Sequence, residues 1–358
     1  MKATEQLHEL GQSLWLDNIT RELLDSGQLQ TYIDEYSVTG LTSNPAIFDK
    51  AIAGGGYDDA IQDMAASGVD REEIFFDLAI EDLRRAADLF GDIHKQTDGV
   101  DGWVSLEVSP LLAYDAKSTV QAAKSLHAQA ERDNLFIKIP GTDKGLPAIE
   151  DATFSGIPVN VTLLFNPAQY VAAADAFMRG LERRIESGLA PVVGSVASVF
   201  MSRWDVSVLD DVPAELRDTL ALAVGFKIYQ AYRELMDSDR WQKLETSGAR
   251  MQRLLWASTS TKDPKAPDDL YLHSLGAPFT VNTVPEPTLR AFFDHGHVGK
   301  AMPADGGNAD ETLAAHKAAG VDVDGLAAKL QDQAATSFVD AWNDLMSIID
   351  KQSAALRT

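Results

Sequence analysis

The sequence predicts an α/β protein folded as a closed (β/α)8 barrel with additional helices, one of them long and C-terminal. Three observations carry that expectation. Eight short apolar runs, beginning at residues 13, 38, 102, 135, 159, 191, 253 and 279, each have the length of a buried strand. Amphipathic segments long enough for helices separate most of them, which is the pattern of repeated β-α units with parallel strands. No low-complexity linker divides the chain, so its 358 residues read as one barrel domain, 1–358.

Taken in order, the first strand, residues 13–17, ends on a carboxylate, and the helical segments TRELLDSG and QLQTYIDEY follow it. Residues 38–44 form the second strand; Asn44 suits a helix cap and Pro45 the first helical position. Gly54-Gly55-Gly56 lacks the GK[ST] ending of a phosphate loop and reads as a flexible loop. A long amphipathic helix covers 72–90, and 103–109 is the third strand, with Ser105 and Glu107 on one face. A helix at 118–133 leads to the strand 135–140, a helix within 143–155 and the strand 159–165. Helices at 167–187 and 213–236 flank the strand 191–198, and strands 253–258 and 279–284 complete the set, with a helix from Pro287. Residues 294–324 read as a loop-rich insertion. Residues 325–358 read as a helix packing on the barrel through Phe338, Trp342, Leu345, Ile348 and Ile349.

Composition narrows the class. Hydrophobic residues at 45% and charged residues at 24% are the balance of a soluble globular protein. No run of 18 or more apolar residues offers a membrane span, and the N-terminus MKATEQLHELGQSLWLD carries no apolar leader segment. Zero cysteines exclude disulfides and cysteine-based catalysis, and with the missing leader they point to the cytoplasm. A formal charge of −23 argues against nucleic-acid binding, which needs a basic face. An anionic substrate must then enter a local cationic pocket against that field.

The chemistry turns on LFIKIPGTDKGLPAIEDATFSGIPVNVTLLFNP, residues 135–167. Lys138 sits mid-strand and shares a face with Phe136; Asn160 and Thr162 share a face of the next strand. Lysine is almost never fully buried unless paired. In water, where its pKa is about 10.4, a lysine is neutral roughly once in a thousand near neutral pH. Desolvation disfavours the ammonium and can leave a large neutral fraction able to attack a carbonyl. The bland alternative is a strand-end lysine that snorkels to solvent.

In such a barrel the chemistry gathers at the C-terminal strand ends. The polar residues there are Asp17, Asn44, Glu107, Lys138, Asn160 with Thr162, and Ser198. Singly, each has a dull reading: Asn44 a cap, Ser198 a turn, Asp17 and Glu107 solvated carboxylates. Six consecutive strands delivering polar groups to one rim point to a site. A lysine able to lose its proton, beside two carboxylates and several hydrogen-bonding groups, suits imine-forming aldol chemistry. The lysine attacks a ketone, one carboxylate moves protons to and from the carbinolamine, and the other takes the proton from the hydroxyl whose C–C bond breaks. No metal is expected: Asp294-His295-Gly296-His297 reads as a polar loop, and Asp305, Asn308 and Asp310 lack calcium-loop spacing.

At this point the chain resembles a family, the bacterial type of transaldolase. The matching segments are LDNITRELL, GLTSNPAIF, VSLEVSPLLAYD, FIKIPGTDKGLPAI, VNVTLLFNPAQY, SVASVFMSRWD and TVNTVP, covering most of residues 13–290 in order. The resemblance implies a Schiff-base enzyme on a (β/α)8 barrel that moves a dihydroxyacetone unit from sedoheptulose 7-phosphate or fructose 6-phosphate to an aldose phosphate, in the pentose phosphate pathway. It implies that Lys138 forms the imine, Asp17 is the acid/base for C–C cleavage and Glu107 activates the catalytic water. Asn44, Asn160, Thr162 and Ser198 then orient substrate hydroxyls and water. In the S-x-F-x-x-R segment, Phe200 joins the substrate contacts and Arg203 takes the phosphate through its bidentate fork. No cofactor is expected, because the lysine is the electron sink; the partners are phosphorylated sugars, and the sequence does not decide between a monomer and a homodimer.

One departure from the family's pattern concerns the second phosphate-binding arginine after the seventh strand. Here the chain reads ASTSTKDP, with Lys262 as the nearest cation and Ser258, Thr259 and Ser260 as hydroxyl donors. The role falls to Lys262; its bland reading is a solvated loop lysine. Two other functions share the scaffold. Shorter fructose-6-phosphate aldolases, which release free dihydroxyacetone, carry glutamine where Glu107 stands and tyrosine where Phe200 stands. A non-catalytic sugar-phosphate-binding barrel has no need of a buried lysine beside Asp17 and Glu107.

Overall fold

The computed structural model describes residues 1–354. Eight parallel strands close into a barrel in chain order: β1 Gln12–Asp17, β2 Val38–Thr42, β3 Val104–Glu107, β4 Leu135–Pro140, β5 Val159–Leu164, β6 Ser195–Phe200, β7 Arg253–Ala257 and β8 Thr280–Val284. Every expected strand is present. The sixth begins four residues later than the sequence pattern placed it. Pro191 has no amide to donate to a ladder, and a Cβ on Gly194 would lie 2.5 Å from the Trp103 indole.

Register carries position directly into function. Glu107 pairs with Lys138 across β3 and β4, and Lys138 pairs with Asn160 across β4 and β5. Three neighbouring strands therefore place three polar groups side by side in the ladder. Below them Trp15 fills the barrel, and Gly40 on β2 exists for it: a Cβ there would stand 2.6 Å from the Trp15 indole nitrogen. Any larger residue at position 40 collides with the packed core.

The helical layer differs from expectation in several places. The helix within 213–236 is broken: a 3-10 turn, Ala214–Leu216, precedes the helix Leu220–Met236, because Asp218 takes a left-handed backbone (φ 56°). The insertion 294–324 is not mainly loop. Asp294 and His295 end the helix Glu286–His295, and a further helix, Ala309–Ala318, packs on Leu220–Met236 through a Lys227–Asp310 ion pair of 3.0 Å and a buried His316. Its apolar face is almost all alanine, which leaves little periodic signal to read. Short helices at Ala3–Glu9, Ser202–Val208 and Asp239–Thr246 were not expected at all.

The C-terminal helix runs Val323–Ala354, starting two residues earlier than expected; the expectation for residues 355–358 lies outside the described residues. Its apolar stripe packs inward, Trp342 against the helix Arg71–Leu89. Trp342 packs edge-on against Phe75 with centroids 5.1 Å apart, and Leu345 and Ile349 are buried. Among the described residues no helix is long and apolar enough to cross a membrane.

Candidate active site

A cavity of about 300 Å³ opens at the C-terminal ends of the strands. Asp17, Asn44, Lys138, Thr162, Ser198, Phe200, Arg203 and Lys262 all line it, so eight of the ten sequence-predicted residues meet in one place. The other two, Glu107 and Asn160, stand just behind its wall and hold residues that line it.

Lys138 is 6% exposed, on the inward face of β4. Its Nζ donates to the Ser43 carbonyl at 3.0 Å and to Glu107 Oε2 at 3.3 Å. The buried lysine is thus paired, as its cost requires. Burial pushes the Glu107 carboxyl above its ordinary range; the Lys138 charge and hydrogen bond pull it back in part, and the nearby Asp17 charge pushes it up again. Asp17, at the end of β1, accepts from Thr42 Oγ1 at 2.8 Å. Burial raises its pKa too, opposed by the Lys138 charge and the Thr42 bond. Two carboxyls biased toward holding a proton thus stand near one amine, Glu107 in contact with it and Asp17 feeling its charge, an arrangement suited to acid–base chemistry.

Asn160 lies one layer deeper than the cavity lining. It is fully buried, donates to Ser105 Oγ at 3.2 Å and accepts from Ser198 Oγ at 2.7 Å. Its direct contact is with Ser198, which it orients. Asn44 is both cap and lining: its side chain accepts from the Ile47 amide at 3.1 Å while the residue borders the cavity. Thr162 Oγ1 is buried without a protein partner, leaving a hydroxyl ready for substrate or water.

The rim is cationic. The Arg203 guanidinium lies 5.5 Å from the Phe200 ring centre, and burial holds its pKa below the ordinary value. Lys262 Nζ donates to Ser260 Oγ at 2.6 Å, so the loop after β7 does turn its cation to the same cavity, with Ser258 and Ser260 beside it. Thr259 does not join them. It is fully buried and donates to the Thr283 carbonyl at 2.9 Å, because it points away from the rim between two residues that point toward it. A wider cleft of about 600 Å³ adjoins on the β1–β2 side and shares Asp17, Asn44 and Pro285.

Five residues that shape the site were not anticipated. Thr42 and Thr283 bond each other at 2.6 Å, and Thr42 in turn bonds Asp17, fixing the carboxylate. Strand parity within VTGLTSN and TVNTV contained that signal. Ser43 contributes only its carbonyl, which no side-chain pattern announces. Phe338, from the C-terminal helix, closes the mouth 5.9 Å from Lys138 Nζ and 6.3 Å from Phe200. The same helix sends Gln331 Nε2 to the Leu163 carbonyl at 2.9 Å, where β5 is irregular and Leu163 is left-handed (φ 64°). That bond braces the residue next to Thr162.

The site gathers a buried lysine, two carboxyls and a cationic rim in one cavity, and comparison with known proteins shows its family. Residues 14–349 match the family model described as transaldolase/fructose-6-phosphate aldolase. The chain is 43% identical to a transaldolase of Frankia alni over 97% of this chain and 96% of the relative. It is 44% identical to a transaldolase of Thermobifida fusca over 98% of each. It is 37% identical to transaldolase 2 of Nostoc punctiforme over 98% of this chain and 97% of the relative.

Proposed function

From the premise that this chain belongs to the transaldolase/fructose-6-phosphate aldolase family, we propose that it works as a transaldolase through a Schiff base on Lys138. Its relatives matched over nearly their full length are named transaldolase, and a role in the pentose phosphate pathway with phosphorylated sugars as substrates follows from the family. The observation that carries the mechanism is the 3.3 Å contact between Lys138 Nζ and a Glu107 carboxyl biased toward protonation.

The neutral amine attacks C2 of the ketose phosphate. Glu107 delivers a proton, directly or through water, to the departing hydroxyl, and the carbinolamine loses water to give the iminium. Asp17 takes the proton of the C4 hydroxyl, the C3–C4 bond breaks, and its electron pair flows into the iminium to leave an enamine on Lys138. The aldose phosphate departs. An incoming aldehyde reverses these steps, and Asp17 returns its proton to the new hydroxyl. Ser198, held by Asn160, and Thr162 orient hydroxyls and water, while Arg203 and Lys262 bind the phosphate.

The test is borohydride reduction of the enzyme with fructose 6-phosphate, followed by peptide mass spectrometry. A dihydroxyacetone adduct on the Lys138 peptide is expected; an adduct elsewhere, or none with substrate bound, removes Lys138 from its role. A parallel assay with and without erythrose 4-phosphate separates transferase from lyase, since a lyase releases free dihydroxyacetone at equal rates in both.

A further inference from the structure

The N-terminal mouth of the barrel holds a second cavity, of about 320 Å³, built on strand starts rather than strand ends. Its wall is apolar. Trp103 and Phe136 stack with centroids 4.0 Å apart, and Met236 and Met251 flank them. Phe279 forms the lip with 62% of its surface exposed, on a left-handed backbone (φ 60°) that a bulky residue adopts only when held there. Its amide donates to the Gly11 carbonyl at 2.9 Å, and its carbonyl accepts from the Tyr232 hydroxyl at 3.1 Å.

Of the charged residues that line it, Glu245 is exposed and Arg250 half-buried, and Arg253, at the start of β7, is buried at 8% exposed. Nη1 donates to the Val100 carbonyl at 3.0 Å; Nη2 donates to Ser13 Oγ at 2.6 Å and to the Thr280 carbonyl at 2.9 Å. A guanidinium has five N–H donors. These bonds leave two unmade, one of them on the buried Nε. Among the described residues no carboxylate lies within ion-pair distance of Arg253. Asp101 reaches it only through the Ser13 hydroxyl, and Asp101 also accepts from Trp15 and the Gly102 amide. A buried cation without a facing counter-charge is costly, and the surroundings are aromatic.

We propose that this cavity is a second ligand site for a small planar organic anion, an aromatic ring bearing one carboxylate. The ring lies along the apolar wall and the carboxylate meets Arg253, a charge-assisted pairing suited to a guanidinium. The site touches the strands that carry the chemistry, since Phe136 and Val196 line it and stand two residues before Lys138 and Ser198.

The probe is 2-naphthoate, titrated calorimetrically into the full chain with and without saturating fructose 6-phosphate, and compared with uncharged 2-naphthalenemethanol. One-site saturable binding that fructose 6-phosphate leaves unchanged is expected. The alcohol should bind at least about tenfold more weakly, the loss of a charge-assisted hydrogen bond. Val100→Trp, at the exposed rim, should weaken naphthoate by a similar factor and leave sugar-transfer activity unchanged. Arg253→Met should abolish binding; if it does not fold, the alcohol and the rim variant decide. No saturable binding at millimolar probe, equal binding of the alcohol, or full binding to Val100→Trp each overturns the proposal. Displacement by fructose 6-phosphate also overturns it, because the probe then occupies the Lys138 cavity.

Discussion

Glu107 and Lys138 are register partners on adjacent strands, and their side chains meet at 3.3 Å inside the barrel. In the proposed mechanism the pairing gives Lys138 its proton partner before any substrate arrives, and it makes the burial of each residue depend on the other.

Lys138→Met should lower kcat by at least ~10³-fold, because the covalent step has no substitute nucleophile. It should leave Glu107 buried without its cation, at a cost of about 3–5 kcal/mol. The double variant Lys138→Met/Glu107→Gln should regain much of that loss without regaining activity. Urea midpoints of the three proteins measure the first effect and initial rates the second. A single variant that turns over normally sinks the assignment.

Glu107→Gln keeps the shape and removes the acid. Imine formation and hydrolysis should slow by ~10²–10³-fold, in the range of a lost general acid–base. Phosphate affinity should not change. Single-turnover trapping with borohydride gives the rate, and inhibition by inorganic phosphate gives the affinity. Weakened phosphate binding at an unchanged trapping rate would contradict its role.

The proposed phosphate role of the rim predicts unequal cations. Arg203→Ala should raise KM for fructose 6-phosphate by ~10²-fold, since a planar fork bound in two places is lost. Lys262→Ala should raise it by only about tenfold, as loss of a point charge at an exposed loop. Neither should affect the slow reaction of unphosphorylated fructose. Equal losses on both sugars would place these residues in folding rather than in recognition.

Asp205, two residues beyond Arg203, sets a pH dependence of stability. Burial pushes it up to about 6, opposed by hydrogen bonds from the Tyr271 hydroxyl at 2.7 Å and the Ala221 amide at 3.0 Å. A carboxyl whose folded pKa lies above its unfolded value holds more protons folded than unfolded, so stability falls as pH rises. The window runs from the ordinary aspartate value of 3.8 to about 6. The expected loss across it is on the order of 3 kcal/mol. Asp205→Asn should remove that component, so Tm of the wild type should fall relative to the variant between pH 4 and 6 and run parallel above. A constant difference across the range would count against it.

Gln331→Leu should test the brace beneath the site. Losing the bond from Nε2 to the Leu163 carbonyl should cost about 1–2 kcal/mol, with a buried acceptor left unpaired. If the brace positions Thr162, kcat should fall several-fold while KM for the phosphate sugar holds. A stability loss with no change in kcat would reduce Gln331 to a structural contact.

Much of this architecture was legible because its signals are local. A strand's two-residue period placed Lys138, Glu107, Asn160 and Thr162 on inward faces without any tertiary information, and Asn44-Pro45 marked its own helix start. Where the signal was weak, the reading faltered: an alanine face hid the helix Ala309–Ala318, and a left-handed Asp218 broke a helix that its apolar spacing suggested was continuous.

The sequence by itself determined the barrel, the strand faces and the residues that bring chemistry, because period, length and residue type are properties of neighbouring positions. Tertiary structure alone decided how those residues are shared out. Register set Glu107 against Lys138 and Asn160 behind Ser198. Closure of β8 onto β1 brought Thr283 to Thr42, 241 residues apart, and the C-terminal helix laid Phe338 over a lysine 200 residues before it. The same closure left Arg253 at the other mouth with two donors unmade. Such contacts follow from packing a whole core at once, and no stretch of chain shorter than the barrel encodes them.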